Sequence, residues 1–149
     1  MKTTITNTIE ETATLAEQFV KTQVYGGMIV CLQGELGAGK TTFTQGILKV
    51  CGAEGPYTSP TFNIVKEYDV DSFGITKIYH IDAYRIGSDD VNSIGWGDMV
   101  ANDKALIIIE WPENIAKILS QNIYVILCEM VSETQRKYTF DVDNKIVIN

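Results

Sequence analysis

Gly34-Glu35-Leu36-Gly37-Ala38-Gly39-Lys40-Thr41 is a complete G-x-x-x-x-G-K-T string, and its flanks decide what kind of fold carries it. Upstream, after Gly26 and Gly27, Met28-Ile29-Val30-Cys31-Leu32 is an unbroken apolar run. It is too short for a helix and does not alternate, as expected of a strand covered on both faces. Downstream, Lys40 to Cys51 places Phe43, Ile47 and Val50 at helical intervals and then meets Gly52, a suitable C-terminal cap. Buried strand, glycine loop and helix in that order make a phosphate cradle. The glycines let consecutive backbone N–H groups and the helix N-terminus face one anion. Lys40 supplies a compact cation for the β- and γ-phosphates, and Thr41 a hydroxyl that can ligate Mg²⁺.

Working outward, Asn7 to Gln23 reads as a helix with one buried face. Asn7 or Thr8 is its N-cap, Glu10 and Glu11 lie in its first turn, and Ile9, Ala13, Ala16 and Val20 recur with Leu15 and Phe19 beside them. Phe62 to Val70 and Ile75 to Asp82 are β-prone stretches separated by Asp71-Ser72-Phe73-Gly74, which predicts a hairpin. The D-x-x-G spelling of that tetrapeptide is shared with GTPases, but its place between two strands makes it a turn. Short helices are expected around Asp89 to Ser93, Trp96 to Val100 and Pro112 to Ser120. Ala105 to Ile109 is a second fully apolar strand, and Ile123 to Val131 and Arg136 to Val142 form a further strand pair. The fold class implied is α/β: a P-loop NTPase-like three-layer fold whose mixed β-sheet contains an inserted antiparallel hairpin. No linker or internal repeat divides the chain, so residues 1–149 are expected to form a single P-loop domain.

Composition narrows the function classes. A chain of 149 residues can bury about 70% of its extended surface in one core. Hydrophobic residues make up 45% and charged residues 21%, a globular balance that excludes disorder as the main state. The net charge of −7 opposes direct binding of DNA or RNA phosphates. No apolar run approaches the roughly 18 residues of a bilayer span, and Met1 to Glu11 lacks the features of a secretory signal, so a cytoplasmic location is expected. Cys31, Cys51 and Cys128 are odd in number, far apart and set in apolar segments, the pattern of buried free thiols.

A Mg²⁺ bound to a nucleotide needs an acidic partner at a strand end near the loop. Glu110, directly after Leu106-Ile107-Ile108-Ile109, meets that need; Trp111, which follows, suits the core or a wall of the nucleotide site. His80, Asp82, Tyr84 and Arg85 cluster where another strand runs out, with His80 and Asp82 on one face. Asp82 could orient or deprotonate an attacking water. Read locally, a hydrogen-bonded core histidine and a turn-capping aspartate account for the same residues. Ser59-Pro60-Thr61 lies where nucleotide switches carry a hydroxyl that senses the γ-phosphate, and equally where a rigid turn would fit.

Four strings, GELGAGKTTF (34–43), SPTF (59–62), HIDAYR (80–85) and IEWPE (109–113), stand in an order and at a spacing that resemble the TsaE (YjeE) family. These are the ATPase subunits of the bacterial system that makes threonylcarbamoyladenosine in tRNA. The resemblance implies ATP bound at Gly37, Ala38, Gly39, Lys40, Thr41 and Thr42, with Mg²⁺ held by Thr41 and Glu110. It implies catalytic roles for Lys40, Glu110 and Asp82, the last in hydrolysis, and a switch-like loop around Ser59 and Thr61. It also implies action with TsaB and TsaD subunits, which would hold the tRNA, and hydrolysis that supports cycling of the complex. Ala83 stands where the family usually has leucine, a difference of packing.

Two other readings compete. A small P-loop kinase needs a lid with cations to exclude water. Only Lys49, Lys66, Lys77, Arg85 and Lys104 are available between the second helix and Glu110. A guanine-nucleotide switch needs Asn-Lys-x-Asp, and neither Asn102-Asp103-Lys104 nor Asn144-Lys145-Ile146-Val147 spells it.

Overall fold

A computed structural model describes residues 2–57, 64–119, 122–140 and Ile146. Among these residues the strands are β1 (Lys2–Thr6), β2 (Ile29–Gln33), β3 (Val65–Ser72), β4 (Ile75–Asp82), β5 (Ala105–Glu110), β6 (Ile123–Met130) and β7 (Arg136–Phe140). The α-helices are α1 (Ile9–Gln23), α2 (Lys40–Val50) and α3 (Trp96–Ala101), with 3₁₀ segments at Ser88–Ile94 and Pro112–Ile118.

The strands form one sheet in the order β1-β7-β6-β2-β5-β4-β3. Its centre is parallel: β2 pairs with both β5 and β6, and β5 with β4. Every residue of β2 and of β5 is buried, which is why neither run alternates in sequence. Along β2, Val30 and Leu32 join the core under α1 and α2, whereas Ile29 and Cys31 join the core on the other face. That second face is closed by Val91, Trp96, Met99 and Ile115 from the shorter helical segments. Helices on both faces of a mixed sheet give the three-layer α/β fold.

The hairpin forms as expected, with a tighter turn. β3 continues through Asp71 and Ser72, and the loop is only Phe73 (φ 53°) and Gly74 (φ 74°). Two left-handed residues are what a type I′ turn demands. The first residues assigned to that strand from sequence, from Phe62, lie outside the described ones. At the C-terminus β7 is described to Phe140; Asp141 and Val142 fall outside.

Three points refine the expectations. β1 was not anticipated: its KTTIT sequence is largely exposed and pairs antiparallel with β7 at the sheet edge, so no buried alternation marks it. The short helices expected around Asp89 to Ser93 and after Pro112 form as 3₁₀ segments. In the second, Ile115 leaves helical geometry, and the segment follows a left-handed Trp111. For α1 the N-cap is Thr8, whose hydroxyl accepts from the Glu11 N–H at 3.0 Å, and Glu11 in return accepts from the Asn7 N–H.

The three thiols are buried and free. Burial pushes Cys31 up to about 12 and Cys51 up to about 11, and it raises Cys128 as well, so none is poised as a thiolate.

The helix pair that carries the glycine loop is held close. Phe43 of α2 lies 5.8 Å from Phe19 of α1 and 5.2 Å from Tyr138 of β7, ring to ring. A Cβ on Gly46 would come within 2.7 Å of the Ala16 methyl. Gly46→Val should therefore destabilise the fold by about 1–3 kcal/mol through overpacking, despite removing a helical glycine, as a lowered denaturant midpoint would show.

Candidate functional site

The loop from Gly34 to Gly39 can take its path only without side chains at two places. A Cβ on Gly34 would meet the Cys128 carbonyl oxygen at 2.2 Å. One on Gly39 would meet the Tyr138 hydroxyl at 2.3 Å, and Gly39 is also left-handed, φ 99°. The Tyr138 hydroxyl donates to the Gly39 carbonyl at 3.0 Å, so β7 pins the end of the loop where α2 begins.

Among the described residues no side chain caps α2, unlike α1 with its Thr8 and Glu11. The first N–H groups of α2 therefore lack the partner that a capping side chain would supply, and they carry the positive end of the helix dipole. They border a cavity of about 580 Å³, a size suited to a nucleotide. Gly37, Ala38, Gly39, Lys40, Thr41 and Thr42 all line it, joined by Asp82, Glu110 and Trp111.

Register brings these carboxylates to the loop. Glu110 at the end of β5 lies opposite Leu32 of β2 on one side and Asp82 of β4 on the other. The Thr41 hydroxyl donates to Glu110 Oε1 at 2.9 Å across 69 positions of sequence. Glu110 Oε2 lies 2.5 Å from His80 Nε2, and both residues are only 2% exposed. Asp82 accepts from the Tyr84 N–H at 3.0 Å, a turn-capping contact, while also facing the cavity. The turn-capping carboxylate is thus also a residue of the cavity wall. His80 is a hydrogen-bonded buried histidine, and Arg85 is exposed.

Lys40 is nearly buried, at 5% exposure. Its ammonium donates to the Gly34 carbonyl and, at 3.0 Å, to the Glu35 carbonyl, and it sits 3.9 Å from the centre of the Trp111 ring. Burial holds its pKa below the ordinary 10.5, with the Glu110 carboxylate opposing that shift. Loop carbonyls and an aromatic face occupy the cation that phosphates would engage.

Trp111 has two environments. It packs partly into the second core and forms a wall of the cavity. Its left-handed backbone, φ 60°, turns the chain immediately after Glu110. Ser59, Pro60 and Thr61 lie outside the described residues.

Sequence reasoning missed the far wall. Thr6, Asn7, Thr8 and Ile9 at the β1–α1 junction and Glu133, Thr134, Arg136 and Tyr138 around the β6–β7 turn complete the cavity. Nothing local marks them, because they arrive through the antiparallel pairing of β1 with β7.

The donor set suits Mg²⁺: a hydroxyl and a carboxylate beside an open helix N-terminus are hard oxygen ligands. Among the described residues no group of three or more His, Cys, Asp or Glu could hold a metal alone. An ion here would be completed by phosphate oxygens and water, as Mg²⁺ prefers.

Residues 6–138 match the family described as "Threonylcarbamoyl adenosine biosynthesis protein TsaE". The chain is 35% identical over 114 residues to the tRNA threonylcarbamoyladenosine biosynthesis protein TsaE of Bacillus subtilis, covering 76% of this chain and 69% of that protein. It is 32% identical over 134 residues to the protein of the same name from Mycobacterium tuberculosis, covering 87% and 79%. With the one from Rickettsia felis the identity is 36% over 134 residues, covering 89% and 75%. A crystal structure of Bacillus subtilis YdiB superposes with a TM-score of 0.73 at 29% identity, covering 93% of this chain and 83% of that one. Matched along most of its length by the family and its named members, and in its sheet by the YdiB structure, the chain belongs to the TsaE family.

Proposed function

We propose that this member of a tRNA threonylcarbamoyladenosine family is a Mg²⁺-dependent ATPase. It would act with TsaB and TsaD in forming the threonylcarbamoyl group on adenosine of tRNAs that read codons beginning with adenine. The observation that carries the ATPase reading is the 2.9 Å contact between Thr41 and Glu110 beside the uncapped start of α2. In this reading residues 1–149 work as one P-loop domain. The α2 N-terminus and the loop amides receive the phosphates, and Lys40 exchanges its bonds to the Gly34 and Glu35 carbonyls for phosphate oxygens. Thr41 and Glu110 would hold Mg²⁺, which supplies charge neutralisation on the phosphates when bound. Asp82, one strand over and on the cavity wall, orients or deprotonates the attacking water.

The net charge of −7 supports contact with tRNA through partner subunits, and hydrolysis then supports cycling of the complex. Among the described residues no helix is long and apolar enough to cross a membrane, which is compatible with work in the cytoplasm. Family membership favours this reading over the small kinase, for which no comparison offers support.

Turnover of ATP to ADP and phosphate, measured alone and with TsaB and TsaD added, tests the activity. Lys40→Ala, Thr41→Ala and Glu110→Ala should each weaken Mg-ATP binding about 10-fold or more, the loss expected of charge-assisted contacts. Asp82→Ala should lower kcat about 10²-fold while changing the Kd for Mg-ATP only slightly; intact turnover would remove Asp82 from catalysis.

Phosphate binding requires charged Lys40, whose pKa in the free protein is lowered by burial. Affinity for ADP should therefore be full on the acidic side and fall as pH rises, starting below the ordinary lysine value of 10.5. Calorimetric titration across the alkaline range would show this fall, and a flat profile up to that value would contradict it.

A further inference from the structure

Glu110 is buried, and each of its carboxylate oxygens has its own donor. Oε1 accepts from Thr41 at the start of α2, and Oε2 faces Nε2 of His80 on β4. With Glu110 as a carboxylate, the 2.5 Å contact is a hydrogen bond in which the Nε2–H donates and Oε2 accepts. The other ring nitrogen, Nδ1, is buried without a hydrogen-bond partner among the described residues. A histidine with a buried ring nitrogen that has no partner among the described residues is a poor choice for packing alone, since an aliphatic side chain would fill the space without stranding that atom. The Nε2 contact is what this residue type supplies. His80 does not line the cavity, so any influence on a ligand there passes through Glu110.

We propose that His80 is a positioning residue for the divalent cation. By holding Oε2 it fixes the plane of the Glu110 carboxylate, so that Oε1 stays against Thr41, where the ion of a bound nucleotide would be held. Partners that orient a ligating carboxylate in this way typically change metal affinity about 10- to 100-fold when removed. The proposal rests on the Mg²⁺–nucleotide reading of the site and adds a residue to it.

The test measures the affinity of Mn²⁺ for the protein–ADP complex by electron paramagnetic resonance of the free ion, alongside calorimetric ADP affinity in EDTA. Thermal unfolding of each variant checks the fold. His80→Leu removes the donor. His80→Asn places an amide near Nδ1 but short of Glu110, and His80→Gln can bring an amide nitrogen to the position of Nε2. The expected result is Mn²⁺ affinity about 10- to 100-fold weaker in the Leu and Asn variants and close to wild type in the Gln variant. ADP affinity in EDTA should remain within about 2-fold of wild type in all three. Wild-type Mn²⁺ affinity in folded His80→Leu, or equal affinities in the Asn and Gln variants, would overturn the proposal. So would a loss of metal-free ADP affinity that matches the loss of Mn²⁺ affinity. If wild-type protein bound ADP neither with nor without Mn²⁺, the nucleotide reading would fail and His80 would have no ion to position. Should His80→Leu not fold, the Asn and Gln pair decides alone.

Discussion

A carboxylate withdrawn from water is unfavourable unless both oxygens find donors, and Glu110, at 2% exposure, meets that condition with Thr41 on one side and His80 on the other. The arrangement depends on register. Because β5 runs parallel between β2 and β4, Glu110 reaches the same level as Leu32 and Asp82. The loop leaves β2 at that level, and α2 begins a few residues later with Lys40 and Thr41. Slipping β5 by one residue would send Glu110 to the opposite face and strand its charge in the second core. The acid that marks the site therefore also specifies how the central strands align.

The loop itself is held from the other side of the sheet. β6 presents the Cys128 carbonyl to Gly34, and β7 presents the Tyr138 hydroxyl to Gly39, both too close for a Cβ. Tyr138 in turn packs its ring against Phe43, so the hydroxyl that pins the loop belongs to the same core that seats α2. The two helices on this face differ at their N-termini. Thr8 and Glu11 close α1 with side chains, whereas α2 opens behind a glycine onto the cavity.

Two loop carbonyls and the Trp111 ring keep the nearly buried Lys40 ammonium solvated by protein. Trp111 reaches that position because its left-handed backbone bends the chain away from β5 directly after Glu110. One residue of strain thus couples the carboxylate, the lysine and the 3₁₀ segment that follows. Ala83, the small residue in HIDAYR, is fully buried in the second core, and its N–H bonds the Glu110 carbonyl at 2.9 Å.

The residues that carry local physics were readable without coordinates. The glycine loop and α2 announce themselves because glycine spacing and helical periodicity act over a few neighbours. β2 and β5 do so because burial on both faces leaves unbroken apolar runs. Asp82 and Glu110 could be named as strand-end acids. Tertiary structure alone decided that the Glu110 carboxylate meets Thr41 and His80, that the Lys40 ammonium lies over the Trp111 ring, and that β1, Arg136 and Tyr138 close the cavity. Those contacts join positions far apart in the chain through strand pairing at the sheet edge and in its centre, and no local pattern encodes which strands become neighbours. β1 shows the limit most plainly: KTTIT is exposed along most of its length, so the pairing that holds it belongs to β7 and is invisible until both strands are in place.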